Sequence, residues 1–364
     1  MQDVSAALAQ LPTVFTAKQA RDLGVSRHVL ARAARRQLIT LQRRGVYAVT
    51  RPDATDRGWQ QVRRGYLERA RVAVLAHPGH AVSHETAAVA HGLPVLLHPQ
   101  SRVHLTGVRV EPRSRRLDGT VLHHCDSLDN EVVNLAGLTA LTAARTVADC
   151  LRTMYPAKAV AVADAGARAG VASLEEVRAI LSGQRRWVGR PRALAALELV
   201  DPRRETWVES YSFVELLQHG LPLPVPQVEI FDAWGRFVAR SDGMWILEAT
   251  VAEVDGAGKY GLPLRLDGLQ EAAVVSRVLA EKAREDDIRG LGLEVVRWSS
   301  TDIRYHPEQV ALRAAAARRR GRLERFTGRL RVGGCWVDVP ALLRDPTGHR
   351  LGREIGPQGP DFAA

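Results

Sequence analysis

A chain of 364 residues is long enough for two or three domains with a sizeable core. Its 46% hydrophobic and 25% charged fractions are those of an ordinary soluble protein, and no apolar run is long enough to span a bilayer. A formal net charge of +11 and a pI near 10.2 favour a polyanionic partner, most often nucleic acid.

The three cysteines, Cys125, Cys150 and Cys335, are odd in number and far apart, which fits neither a disulfide framework nor a zinc site. The opening MQDVSAALAQLPTVFTAKQA lacks the charged start and long apolar core of a signal peptide. A reducing cytoplasm and no membrane partner are therefore expected. Nearly all of the positive charge is arginine; the lysines are Lys18, Lys158, Lys259 and Lys282.

The chain opens with three short helical patterns. Ser5–Leu11 is apolar and alanine-rich. Thr16, with Gln19 three residues on, reads as a capping box for a helix over Ala17–Leu23, closed at Gly24. Ser26 caps a third helix, Arg27–Arg36, whose stripe Val29, Leu30, Ala33 and Ala34 is apolar. Arg27, His28, Arg32 and Arg35 fall on its other side. QLITLQRRGVYAV then reads as two strands around an Arg43–Arg44–Gly45 tip. Helix, glycine turn, basic helix and basic-tipped hairpin make a winged helix-turn-helix pattern. In that arrangement Ser26, Arg27, His28, Arg32 and Arg35 face double-stranded DNA, with Arg43 and Arg44 on the wing. The alternative is a small helical domain with a solvated basic face.

From Asp53 to about Ala195 the pattern is mixed. A short helix in SHETAAVAHGL, capped by Ser83 and closed by Gly92, precedes strand patterns at Val103–Gly107, Thr120–His124 and Val132–Leu135. Helical patterns follow at Ala144–Thr153, Ala157–Ala169 and Leu174–Leu181. The spacings of His77, His80, His84, His91, His123 and His124 match no closed zinc site, so capping and structural roles are expected of them.

Arg190–Leu199 and Asp201–Arg204, with Pro191 and Pro202, read as a linker. A helix over Glu205–His219 carries Glu209, and a strand over Gln227–Phe231 follows. Two further strand runs, Phe237–Arg240 and Ala249–Val254, have carboxylates at their ends. Alternation along the second run puts Glu253 and Asp255 on one face, and Asp242 reaches the same place if the runs pair as a hairpin. Such carboxylates can hold Mg²⁺, with Mn²⁺ as substitute, and a metal so held activates water. The alternative is an edge hairpin whose acids face solvent. A helix over Leu279–Gly290 and a strand over Leu293–Trp298 come next. After Ile303 the pattern fades into a basic helix, Glu308–Arg325, and a disordered end, Gly352–Ala364.

FTAKQARDLGVSRHVLARAARRQLITLQRRGVYAV resembles the DNA-binding domain of AbiEi-type antitoxins. SHETAAVAHGLP, VHLTG and GLTALTAARTVADCLR resemble the middle domain of the same proteins. The resemblance implies a transcriptional regulator or antitoxin of a type IV toxin–antitoxin system, with a cognate toxin protein as a second partner. The order helix, acid-bearing strands, helix, strand after residue 199 is similar to the very-short-patch-repair-like branch of the PD-(D/E)XK nucleases. That second resemblance implies a metal-dependent DNA endonuclease fold. Glu209, Asp242, Glu253 and Asp255 match its acids, the last three as metal ligands. It departs in having Asp255 where the family name calls for lysine and Lys259 where relatives often carry histidine. Lys259 or Lys282 would then supply the missing catalytic cation.

The expected fold class is α/β, in the sense of a multidomain α+β chain. A winged helix-turn-helix spans 1–55, a mixed α/β middle domain 56–198, and a restriction-endonuclease-like α/β domain 199–305. A basic helix and tail occupy 306–364.

Overall fold

The computed structural model describes residues 8–50, 58–108, 115–117, 119–128, 130–255 and 268–345. Lys259 and the Gly352–Ala364 end lie outside the described residues. The chain is an α/β multidomain protein that divides into two compact units, Met1–Thr153 with Val171–Arg185, and Met154–Gly170 with Arg186–Ala364.

In the first unit, strand β1 (Val14–Thr16) runs into helix α1 (Ala17–Asp22) through a complete capping box. The Gln19 amide donates to Thr16 Oγ1 at 3.1 Å, and the Thr16 amide to Gln19 Oε1 at 2.8 Å. The chain turns at Gly24, whose φ of +77° suits glycine. Ser26 Oγ accepts from the Val29 amide at 3.3 Å and starts α2 (Arg27–Arg35). Strands β2 (Ile39–Arg43) and β3 (Val46–Val49) form the wing, in an antiparallel sheet ordered β1-β3-β2. Phe15, Ala20, Val25, Leu30, Ala33 and Ile39 fill the core beneath it.

A 19-residue helix, α3 (Gly58–Ala76), follows. Arginines at 63, 64, 69 and 71 break up its apolar face. Tyr66, Ala70 and Ala73 nevertheless enter a shared core with Val82, Val103 and Leu105. Strand β4 (His80–Val82) leads into α4 (His84–Ala90). Strands β5 (Val103–Val108), β6 (Arg115–Leu117), β7 (Thr120–Cys125), β8 (Val132–Leu135) and β9 (Leu138–Leu141) complete a six-stranded mixed sheet ordered β6-β7-β5-β4-β9-β8. Helix α5 (Ala143–Thr153) is buried over most of its length. Helix α6 (Pro156–Arg168) belongs to the second unit, and α7 (Leu174–Gly183) returns to the first and packs on α5.

The expected linker at Arg190–Leu199 is instead helix α8 (Arg190–Leu197). Pro191 stands in its first turn, where no intrahelical N–H is lost, and Ala193, Ala196 and Leu197 are buried. The stretch after it is anchored rather than loose: Arg204, 2% exposed, donates to Asp164 Oδ2 at 3.0 Å.

Helix α9 (Trp207–Gln218) precedes three antiparallel strands, β10 (Val225–Phe231), β11 (Phe237–Trp245) and β12 (Thr250–Asp255). Helix α10 (Gly268–Gly290) crosses over to β13 (Glu294–Ser299), which pairs parallel with β12. Trp298 on β13 is buried and donates from Nε1 to Ser212 Oγ on α9 at 3.0 Å, tying that helix to the sheet.

From Ile303 to Asp345 the segment expected to lose pattern is regular structure. Helices α11 (Ser300–Tyr305) and α12 (Pro307–Arg320) are followed by a 3-10 turn at Leu323–Arg325, strands β14 (Arg329–Val332) and β15 (Cys335–Trp336), and helix α13 (Val339–Arg344). The basic helix ends at Arg320, not Arg325. The sheet order is β13-β12-β11-β10-β14-β15, so β14 extends the same sheet by pairing with β10. Short strands rich in arginine hid this from the pattern, although buried Leu330 and the Arg331–Glu229 pair at 2.7 Å fix the register. Among the described residues, no helix is long and apolar enough to cross a membrane.

Candidate functional site

The N-terminal basic face comes first in the chain. Its helix is set by the Ser26 cap and by Leu30 and Ala33, which are buried. The opposite residues, Arg27, His28 and Arg35, are exposed, and Arg32 is half-buried. Arg43 and Arg44 are exposed at the wing, where Gly45 turns with φ +77°. The three-strand sheet therefore carries cations on a helix and a hairpin tip joined by one small core.

The acids of the second unit also converge. Glu209 lies in the first turn of α9, 3% exposed. It is held by three donors: the Glu205 amide at 2.9 Å, the Thr206 hydroxyl at 2.8 Å and Gln227 Nε2 at 3.0 Å. Gln227 reaches it from inside β10 by adopting a left-handed φ of +57°, a conformation that costs an ordinary residue of order 1–3 kcal/mol. Burial, and then the nearby Asp242, raise the Glu209 pKa above the usual carboxylate value.

Asp242 lies inside β11 rather than at a strand end, because the strand continues to Trp245. The pairing of Gly243 with Ala252 sets Asp242 beside Glu253, and Asp242 Oδ2 accepts from the Val254 amide at 2.7 Å. Gly243, an odd choice within a strand, has a steric cause. A Cβ there would stand 2.6 Å from the Phe213 ring and 3.1 Å from Pro224. Helix α9 can therefore press against the sheet at the level of Asp242.

Glu253 is buried, and Arg284 Nη2 of α10 donates to its Oε2 at 3.2 Å. In the parallel register Arg297 of β13 lies next to Glu253, and its Nε is 3.9 Å from Asp255 Oδ2. Arg297 also pairs with Glu281, and these acids raise its pKa against the effect of burial. Among the described residues, the cations at the acids are Arg284 and Arg297, while Lys282 is exposed on α10. The parallel pairing of β12 with β13 brings Arg297 there, and Lys259 lies outside the described residues.

Asp242, Glu253 and Asp255 do not bring one oxygen each within 4.8 Å of one another; among the described residues, that distance is met by His84, His104 and His123. Asp242 and Glu253 stand opposite one another on β11 and β12.

The spacing of the histidines does not announce their convergence, which includes His104. His84 opens α4 with φ +51°, and the Ser83 hydroxyl, expected as a cap, bonds His84 Nδ1 at 2.9 Å instead. His104 on β5 and His123 on β7 come together because those strands pair in parallel. His104 Nδ1 and His123 Nε2 are 3.0 Å apart, and the rings of His84 and His123 stack with centroids 3.9 Å apart. Glu85 Oε2 lies 3.3 Å from His104 Nε2.

The basic helix α12 packs Val310, Ala311, Ala314 and Ala317 inward. Arg318 pairs with Glu248 and Arg320 with Glu294 at 3.0 Å, so these two serve the sheet. Arg319 is exposed.

No protein-family model matches the chain. Over 285 residues it is 26% identical to the uncharacterized protein Rv2248 of Mycobacterium tuberculosis (strain ATCC 25618 / H37Rv), covering 77% of this chain and 92% of that one. The uncharacterized protein MT2308 of strain CDC 1551 / Oshkosh matches with the same identity and coverage. The crystal structure of the RV2827C protein from Mycobacterium tuberculosis aligns at 19% identity with a TM-score of 0.34, over 54% of this chain and 73% of that one.

Proposed function

We propose that this chain is a cytoplasmic regulator of the antitoxin type that binds double-stranded DNA through its N-terminal winged helix-turn-helix and carries a nuclease-like domain in its C-terminal half. The observation that carries the reading is α2. Its N-terminal Arg27 and His28 are exposed on the face opposite the core, and the same small sheet presents Arg43 and Arg44 on its wing. A helix of this kind reads base edges from its first residues, and a basic wing grips phosphate. A cognate toxin protein is a further partner under this reading.

Mobility shifts on the protein's own promoter region test it. Arg27→Ala should weaken specific binding by about 1–3 kcal/mol, and Arg44→Ala should weaken all sequences alike and lower the salt slope by about one. Unchanged binding after deletion of residues 1–55 would sink the proposal.

A second reading, a Mg²⁺-dependent DNA endonuclease targeted by the same N-terminal domain, is favoured by a specific observation. Helix α9, three antiparallel strands, a crossover helix and a parallel strand line up Glu209, Asp242 and Glu253, as the nuclease resemblance implies. Asp242 and Glu253 would hold the metal, which activates water when bound. Arg297 then stands as the cation beside them, with Lys282 and Lys259 as further candidates. Nicking of supercoiled plasmid with Mg²⁺ or Mn²⁺, abolished by EDTA and by Glu253→Gln, is the expected result. Nicking retained in Glu253→Gln would remove these acids from the chemistry.

A further inference from the structure

We propose that His84, His104 and His123 bind a divalent transition-metal ion of the zinc class. One ring nitrogen from each lies within 4.8 Å of the other two. Two imidazole nitrogens on a shared ion at 2.0–2.1 Å stand roughly 2.9–3.4 Å apart, for angles between square and tetrahedral. The 3.0 Å separation of His104 Nδ1 and His123 Nε2 falls in that range.

The remaining nitrogens are already oriented. His84 Nδ1 is held by Ser83 Oγ at 2.9 Å and His104 Nε2 by Glu85 at 3.3 Å, leaving His84 Nε2, His104 Nδ1 and His123 Nε2 to converge. A carboxylate behind a ligating histidine fixes its tautomer and raises its basicity, and Glu85 occupies that position on His104. The left-handed backbone at His84 is a second mark of a built site, since such strain is kept where the surroundings over-determine it.

Access is from the His104 side, where that side chain is 20% exposed and Glu85 37%. Imidazole nitrogens suit zinc, copper, nickel or iron rather than Mg²⁺. Three ligands leave a fourth position for water or a substrate atom.

The inference is independent of the DNA-binding reading. Its test is calorimetric titration of the full, EDTA-treated chain with Zn²⁺, and with Co²⁺ to read the visible ligand-field bands. One equivalent should bind and raise the melting temperature. His104→Gln and His123→Gln should abolish the binding and the Co²⁺ bands, and His77→Ala should leave both intact. Glu85→Gln, a milder change at a partly exposed position, should weaken binding about 10–100-fold while circular dichroism shows the fold retained. Failure of the wild-type chain to bind, or binding unaltered in all three of these site variants, overturns the proposal.

Discussion

The histidine cluster around His84 and the carboxylate cluster around Glu253 both keep water-loving groups out of water, and they do so by different means. Around Glu253 charge is kept and compensated: Arg284 and Arg297 approach the acids, and backbone amides meet Asp242 and Glu209. Around His84 charge is given up, because burial holds the rings neutral. Just beyond them stands a buried network of another sort. Asp149, fully buried on α5, accepts from Arg145 Nε at 3.0 Å and Arg152 Nη2 at 2.7 Å. Its charge works against the lowering of the His123 pKa. Neutral nitrogens suit a metal that must displace no proton, and compensated oxygens suit a site where a metal must first displace a cation.

The largest expected effect tests whether the histidine region depends on that buried ion network. Asp149→Ala leaves the guanidinium groups of Arg145 and Arg152, 4% and 7% exposed, without their shared acceptor. Breaking a buried pair from one side costs about 3–5 kcal/mol, and chemical denaturation should show a loss of that size. A loss below about 1 kcal/mol would mean that Glu131, which also pairs with Arg145, carries the network.

The two clusters also respond oppositely to acid. His104 and His123 have folded pKa values near 4, below the ordinary 6.5, so the unfolded chain binds more protons between those values. Stability from these rings is therefore present above pH 6.5 and is lost as pH falls toward 4, with a slope of up to about 1.4 kcal/mol per pH unit for each. Glu209 has a raised folded pKa, so the folded chain holds its proton more tightly and acid favours folding there. Denaturation between pH 7 and pH 5 should show a net loss that flattens in His104→Gln with His123→Gln. A slope unchanged by those substitutions would place the acid sensitivity elsewhere.

These clusters differ as much in how they could be read from the chain. Glu253 and Asp255 share a strand face by simple alternation, and Glu209 sits on a helix that its own sequence announces, so these acids were legible as candidates before any fold was known. The two capped helices, the glycine between them and the basic hairpin were legible for the same reason, since all are local signals. His84, His104 and His123 lie on a helix and two strands about twenty residues apart, and nothing local brings them together. The parallel pairing of β5 with β7 does, and parallel partners leave no turn signature. The same limit hid Arg297, which stands next to Glu253 through the parallel pairing of β13 with β12. Strand β14 was hidden by distance along the chain, since it pairs antiparallel with β10 from beyond residue 328.

Gly243→Ala probes how tightly the acid region is packed. A methyl at 2.6 Å from the Phe213 ring forces either the ring or α9 to shift, at a cost of about 1–3 kcal/mol. Thermal unfolding should fall accordingly. Phe213→Leu in the same chain should recover part of the loss, since the clash is with the ring and not with backbone. Absence of any such coupling would mean that α9 moves freely against the sheet.

The smallest change in stability should come from Arg284→Ala. Its side chain is 38% exposed, so its bond to Glu253 is screened and worth at most about 1 kcal/mol. Its effect on metal should be larger than its effect on folding. A guanidinium on Glu253 Oε2 occupies an oxygen that Mg²⁺ would use, and the two cations repel one another across the same carboxylate. Removing Arg284 should therefore enlarge the Mg²⁺-dependent rise in melting temperature over that of the wild-type chain, because an ion bound only by the folded state stabilises in proportion to its affinity. Glu253→Gln should erase the rise in either background. An Arg284→Ala chain that responds to Mg²⁺ no better than wild type would show that arginine and metal do not compete, and the acids would then serve the sheet rather than a cation.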